Sequence, residues 1–254
     1  MADRIERIVA LGASNLTRGF YTVVASARSV WGPEVEVFAA LGHGRSYGAP
    51  SRFLVRTLPG ILKSGLWHEL ERQPRKSTRG LVTDVGNDIL YGFPVERIVG
   101  WVEEVLVLLG RTTQDIVLTG LPLASIRRLT NLKFLAFRTV LVPSCRLSLA
   151  QVLDRAEEVN GGLALLAAKY GAGFFPLNPA WYGFDPIHIR PWLWRSAWRE
   201  ILGVTLDAQG DRGSMLEAAR LYLMRPERRR LFGREQVTPQ SGVVLRSGGR
   251  VWLY

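Results

Sequence analysis

Five short apolar runs, Ile8–Leu11, Val35–Leu41, Gly80–Val85, Asp115–Leu121 and Gly173–Leu177, alternate with segments of helical spacing. Strands that are apolar along their whole length must be covered on both faces, and strands separated by helices pair in parallel. The pattern therefore predicts a doubly wound α/β domain. Phe20, Val23, Val24 and Ala27 keep the spacing of a buried helix face, as do Val95, Ile98, Val99, Val102, Val105 and Leu106. Pro94 opens the second of these helices and Gly110 closes it, and Ser148 with Gln151 reads as a capping box starting a third that runs towards Lys169. In a sheet of this kind functional groups gather at the carboxyl ends of the strands.

Two stretches fall outside this rhythm, and charge sets them apart. The chain of 254 residues has a net charge of +11, but residues 1–122 carry 14 basic and 12 acidic side chains and residues 150–189 carry 2 and 4. The excess lies in 123–149, with 5 basic and no acidic residues, and in 190–254, with 12 and 6. The first is a long basic and apolar connection containing Leu129, Leu132, Phe134, Leu135 and Phe137 beside Arg127, Arg128, Lys133 and Arg138. Connections of this length serve as lids or binding segments, or pack as insertions. The expected division is a domain over 1–203 and an extension over 204–254, the latter with a helix over Ser214–Met224, the basic cluster at Arg228-Arg229-Arg230 and a hairpin around Gly248-Gly249. A single cysteine, Cys145, excludes an internal disulfide and fits a buried thiol in a reducing compartment. No signal-peptide order and no apolar run of about 20 residues is present, so a soluble, cytoplasmic protein is expected.

The strand ends carry the chemistry. The first run leads into Gly12-Ala13-Ser14-Asn15, placing a hydroxyl where a helix begins; Ser14 there is a nucleophile or a helix cap. The second leads into Gly42-His43-Gly44-Arg45, whose glycines allow a backbone N–H to face a developing oxyanion. The third leads into Asp84-Val85-Gly86-Asn87-Asp88, where Asn87 can donate without carrying charge, although Asn and Asp also form turns. Asp185 and His188, three apart beyond the last strand, pair a carboxylate with an imidazole, as a catalytic dyad or as a structural pair at the start of the next helix. Trp192, Trp194 and Trp198 on that helix are expected to pack into the core.

Ser after strand one, Gly after strand two, Asn after strand three and Asp-x-x-His after the last strand together resemble the SGNH hydrolases, the superfamily of GDSL-type esterases and lipases, over about residues 5–202. The resemblance implies a flavodoxin-like three-layer α/β/α sandwich with a central parallel sheet of about five strands. It implies Ser14 as nucleophile, His188 as general base and Asp185 as its orienting carboxylate. The backbone N–H groups of Ser14 and Gly44 and the side chain of Asn87 are the implied oxyanion hole. Ala13 stands where the family has Asp and Val85 where it has Gly, departures that remove no catalytic group. Asn15, His43, Arg45 and Asp88 border these positions and are expected to touch substrate.

The implied chemistry is cleavage of an acyl ester, including carbohydrate or lipid esters, through an acyl-enzyme, with no metal and no organic cofactor. An O-acyltransferase would use the same groups. A catalytically inactive fold binding nucleic acid or an anionic surface is the reading from another class; the charge favours it and the intact set of catalytic residue types opposes it. The 123–149 segment suits contact with an acyl chain or an anionic membrane, and the C-terminal hairpin suits a homodimer.

Overall fold

A computed structural model describes residues 5–203, 214–246 and 248–254. From the amino end the elements are β1 (Arg7–Leu11), α1 (Ser14–Trp31), β2 (Glu36–Ala40), β3 (Ser51–Phe53), β4 (Arg56–Leu58), α2 (Leu66–Arg72), β5 (Thr78–Val82), α3 (Asn87–Leu90), α4 (Val95–Gly110) and β6 (Asp115–Thr119). There follow α5 (Leu123–Ile126), α6 (Asn131–Leu141), α7 (Leu149–Tyr170), β7 (Gly173–Phe175), α8 (Trp194–Ile201), α9 (Met215–Tyr222), β8 (Arg228–Leu231), β9 (Arg234–Val237), β10 (Val243–Val244) and β11 (Arg250–Leu253).

All five apolar runs form strands of one sheet, in the order β10-β11-β2-β1-β5-β6-β7. The five predicted strands keep the flavodoxin-like order second, first, third, fourth, fifth, all parallel. The expected count of about five becomes seven among the described residues, because β11 adds in parallel to β2 and β10 folds back on it as the predicted hairpin. Trp252 of β11 stacks on Phe38 of β2 with ring centroids 4.2 Å apart. Residues 204–213 of the predicted extension lie outside the described residues.

Alternation along the strands divides the core. Ile8 and Ala10 face α1 and α8, while Val9 and Leu11 face α4 and α7; Val37 and Ala39 oppose Phe38 and Ala40 in the same way. On the first face α1 and α8 approach closely at Gly19, where a Cβ would lie 2.0 Å from the indole nitrogen of the buried Trp198. The same face carries α9, held to α1 by a buried ion pair, Arg28 Nη1 to Glu217 Oε2 at 2.8 Å. On the second face the capping box of α7 forms as predicted: Gln151 N–H donates to Ser148 Oγ at 3.2 Å and Ser148 N–H to Gln151 Oε1 at 2.9 Å. Cys145 is a buried free thiol.

A second sheet, β3-β4-β8-β9, was not predicted. Its strand β8 is the Arg228-Arg229-Arg230 cluster, and β8 turns into β9 at Phe232 and Gly233, both with positive φ (48° and 81°) as a tight hairpin turn requires. In the described residues no helix is long and apolar enough to cross a membrane.

Candidate active site

In the order second-first-third the chain reverses its winding at β1, and the crevice beyond the carboxyl ends of β1 and β5 is where such folds present a site. Ser14 follows β1 directly as the first residue of α1. Its hydroxyl does not cap the helix. The carboxylate of Asp84, at the end of β5, does so instead: Oδ2 accepts from the N–H groups of Ala13 and Leu16, each at 3.0 Å. Asp84 adopts φ +62°, a left-handed conformation that Asp tolerates better than most residues. With that capping done by another residue, Ser14 Oγ lies 2.9 Å from Nε2 of His188.

His188 is buried, and its Nδ1 sits 2.7 Å from Oδ2 of Asp185. Oδ1 of Asp185 accepts from the N–H groups of Ile187 and His188 at 3.2 Å each. Burial raises the Asp185 carboxyl, but the bond from His188 and these two N–H groups outweigh it and hold the group below its ordinary range. An ionised Asp185 can only accept, so Nδ1 carries the proton and Nε2 presents its lone pair to Ser14.

Asn15, the next residue after Ser14, fixes the histidine loop. Its Nδ2 donates to Ile187 C=O at 2.8 Å and to Asp84 Oδ1 at 2.9 Å, and its Oδ1 accepts from Ile189 N–H at 2.8 Å. Ser14, Asp84 and His188 are thus tied together through one amide.

The three donors that the family resemblance implies are found as follows. The N–H of Ser14 opens a helix and has no acceptor among the described residues. Asn87 lines the same pocket as Ser14, and its Nδ2 makes only a long 3.4 Å contact with Asp84 C=O. Gly44 has φ +65°, a conformation that favours glycine, and its carbonyl accepts from Tyr91 Oη. A Cβ there would lie 2.7 Å from that hydroxyl oxygen.

On the β5–β6 flank of Ser14 lies an apolar cavity of about 120 Å³. Its walls include Leu121, Ile126, Phe134, Phe137, Leu153 and Ala156. The segment 123–149 supplies one whole wall, through α5, the turn after it and α6. Phe134 and Ile126 are buried against the domain, whereas Leu132 is exposed. The segment therefore packs as an insertion and lines the site at once.

The four residues expected to touch substrate divide. Asn15 borders the cavity, but its polar atoms are taken by Asp84, Ile187 and Ile189. Arg45 is fully buried, its guanidinium donating to the carbonyls of Leu41, Pro59 and Tyr254, so it cannot meet a substrate. Asp88 is also fully buried and accepts from Tyr47 N–H at 3.0 Å; burial pushes its carboxyl up to about 6 against hydrogen bonds from Ser46 and Tyr47. His43 alone stays at a surface, its ring 5.2 Å from that of Phe53, and burial together with Arg18 and Arg56 pushes it down to about 4. Trp198 packs into the core as expected, Trp194 is half-buried, and Trp192 is exposed. Asp84, Tyr91 and Arg18, whose Nη1 lies 3.9 Å from Asp185 Oδ2, were not foreseen as site residues. Among the described residues no three His, Cys, Asp or Glu side chains converge as a metal-binding group.

The architecture and the Ser14, His188, Asp185 constellation define an α/β/α sandwich with a serine–histidine–aspartate arrangement at the carboxyl edge of its sheet. No family model and no curated protein matches the sequence. Among solved structures the chain is similar in fold to Est24, a carbohydrate acetylesterase from Sinorhizobium meliloti, at 12% identity and TM-score 0.50 over 78% of this chain and 99% of that one. The psychrotrophic esterase EstA from Pseudoalteromonas sp. aligns at 13% identity and TM-score 0.49, over 78% and 94%. At this identity the likeness is one of fold, an α/β sandwich that this chain shares with the acetylesterase.

Proposed function

We propose that the protein is a serine hydrolase that cleaves an ester through an acyl-enzyme on Ser14. The observation that carries this reading is the continuous chain from Ser14 Oγ to His188 Nε2 at 2.9 Å and from His188 Nδ1 to Asp185 Oδ2 at 2.7 Å. Ser14 Oγ attacks the carbonyl carbon while its proton passes to His188 Nε2. Asp185 stabilises the imidazolium so formed, and the oxyanion is held by the N–H groups of Ser14 and Gly44 and by Asn87 Nδ2. When the intermediate collapses, the proton on Nε2 goes to the leaving alcohol. A water molecule, deprotonated by the same nitrogen, then releases the acid and restores Ser14.

The apolar cavity beside Ser14 and Asn87 supports an acyl side of limited length. At about 120 Å³ it is slightly smaller than a cavity of about 150 Å³ that accepts benzene. Esters of short acyl chains are the expected substrates. The test is hydrolysis of p-nitrophenyl butyrate by the parent and by Ser14→Ala. Loss of at least about a thousandfold in kcat is expected, and equal rates would refute the assignment.

A further inference from the structure

A second recess lies on the opposite flank of Ser14. The sheet order puts β2 and β11 on one side of β1 and β5, β6 and β7 on the other. The apolar cavity occupies the β5–β6 side, while a groove of about 980 Å³ opens beside the loop after β2, between α1, α9 and β11. Its volume is at the upper end of the range usual for small-molecule sites. Four guanidinium groups line it, those of Arg18, Arg56, Arg225 and Arg229, together with His43, and no Asp or Glu does so among the described residues.

These cations are placed with respect to the chemistry. Arg18 is four residues after Ser14 on α1, hence on the same helix face one turn on. Arg56 reaches the loop that carries Gly44, since a Cβ on Gly42 would lie 3.5 Å from its Nη2. Arg229 comes from β8, which pairs with β4, the strand of Arg56. Among the described residues no carboxylate pairs with Arg56, Arg225 or Arg229, of which Arg56 and Arg229 are half-buried and Arg225 is exposed; Arg18, also exposed, has Asp185 Oδ2 3.9 Å from its Nη1. Burial is the main cause that lowers the basicity of Arg56, with Arg229 adding to it, and burial is also the main cause that pushes His43 down, with Arg18 and Arg56 adding to it. Several guanidinium groups along one groove give it a positive potential that draws in an anion, and the planar guanidinium suits phosphate and carboxylate oxygens.

We infer that this groove holds the alcohol side of the substrate and that this alcohol carries an anionic group, phosphate or carboxylate. The acyl chain then lies in the apolar cavity, the scissile carbonyl over Ser14, and the anionic alcohol among Arg18, Arg56, Arg225 and Arg229. The carbonyl C–O bond breaks between the two recesses, and the departing alkoxide takes its proton from His188 Nε2. This inference rests on Ser14 being the nucleophile.

The test compares three esters of one acyl group: 1-butyrylglycerol, its 3-phosphate, and the butyrate ester of 3-hydroxypropanoate. At low salt kcat/KM is expected to be about tenfold or more higher for one or both anionic esters, and the better of the two identifies the anion. Raising ionic strength from about 0.01 M to about 1 M, which shortens the screening length from about 30 Å to about 3 Å, should largely abolish the preference. The double variant Arg56→Gln, Arg229→Gln should lower the ratio of anionic to neutral kcat/KM by a similar factor. The salt series on the parent decides the matter if that variant does not fold. Calorimetric titration of glycerol 3-phosphate and 3-hydroxypropanoate into the parent reads the groove independently of turnover. Hydrolysis of the neutral ester without a salt-sensitive preference for either anionic one overturns the inference and leaves the esterase reading intact. Binding of an anionic alcohol without hydrolysis of any ester places the failure in the esterase reading. The absence of both binding and preference overturns the groove assignment outright.

Discussion

The side chain of Asn15 grips the backbone on both sides of His188, accepting from Ile189 N–H and donating to Ile187 C=O, each at 2.8 Å. The residue next to the proposed nucleophile thereby sets the height of the imidazole above it. Asn15→Ala should leave Ser14, His188 and Asp185 chemically intact but loosen their register. A misplacement of about 1 Å costs on the order of a hundredfold in rate, so kcat should fall about 10- to 100-fold with KM little changed. Asn15→Asp should not rescue it, because a carboxylate cannot donate to Ile187 and would face Asp84. Steady-state kinetics on a short-chain ester, with the rate of labelling at Ser14 as a second readout, checks this.

Of the three proposed oxyanion donors, Asn87 is the one that substitution can remove without touching the backbone. Its amide makes only the 3.4 Å contact with Asp84 C=O, so its loss leaves little else unsatisfied. Asn87→Ala should lower kcat by about 10²- to 10³-fold with the midpoint of thermal unfolding almost unmoved. Parallel kinetics and calorimetry would reveal a structural role if the two changed together.

On the proposed esterase reading, the wall contributed by α6 and α7 sets acyl length. Phe137→Ala should open the cavity and move the optimum of kcat/KM towards longer acyl chains. Ala156→Leu, at a buried position on α7, should fill the cavity and move the optimum towards acetate. A series of p-nitrophenyl esters from acetate to decanoate reads both shifts, and identical chain-length profiles would detach the segment 123–149 from acyl binding.

Asp88 gives stability a specific pH dependence. Its carboxyl is pushed up to about 6 by burial, from a value near 4 in the unfolded chain. Between those values the unfolded chain releases a proton that the folded protein retains, so Asp88 destabilises the fold progressively as pH rises from about 4 to about 6. The full cost, roughly 3 kcal/mol for a rise from near 4 to about 6, is reached above pH 6 and absent below pH 4. Asp88→Asn should therefore become more stable relative to the parent across that window. Urea unfolding at a series of pH values measures the difference, and a constant difference would contradict the assignment.

The parallel sheet was legible because its strands are apolar on both faces, a composition that surface or hairpin strands do not have. The site was legible in outline because Ser14, Gly44, Asn87 and the Asp185–His188 pair each follow a strand end. Its support was not. Asp84 reads as a turn residue, and only the parallel pairing of β1 with β5 shows that it caps α1 and frees the Ser14 hydroxyl. Arg45 reads as a substrate contact, but it is buried because three carbonyls, those of Leu41, Pro59 and Tyr254, converge on it. The second sheet escaped notice because β8 is a run of arginines with exposed residues at Arg228 and Arg230, the pattern of a solvated charge cluster. Pairing with β4 turns the same run into a strand that presents Arg229 to the groove.

The central claim is that Ser14 is a nucleophile activated by His188 and Asp185. Labelling with a fluorophosphonate, followed by peptide mapping, tests it most directly. A single covalent adduct on Ser14 is predicted, formed at a rate that drops by orders of magnitude in His188→Ala and is absent in Ser14→Ala. Labelling elsewhere, or at Ser14 with the same rate in His188→Ala, would contradict the account.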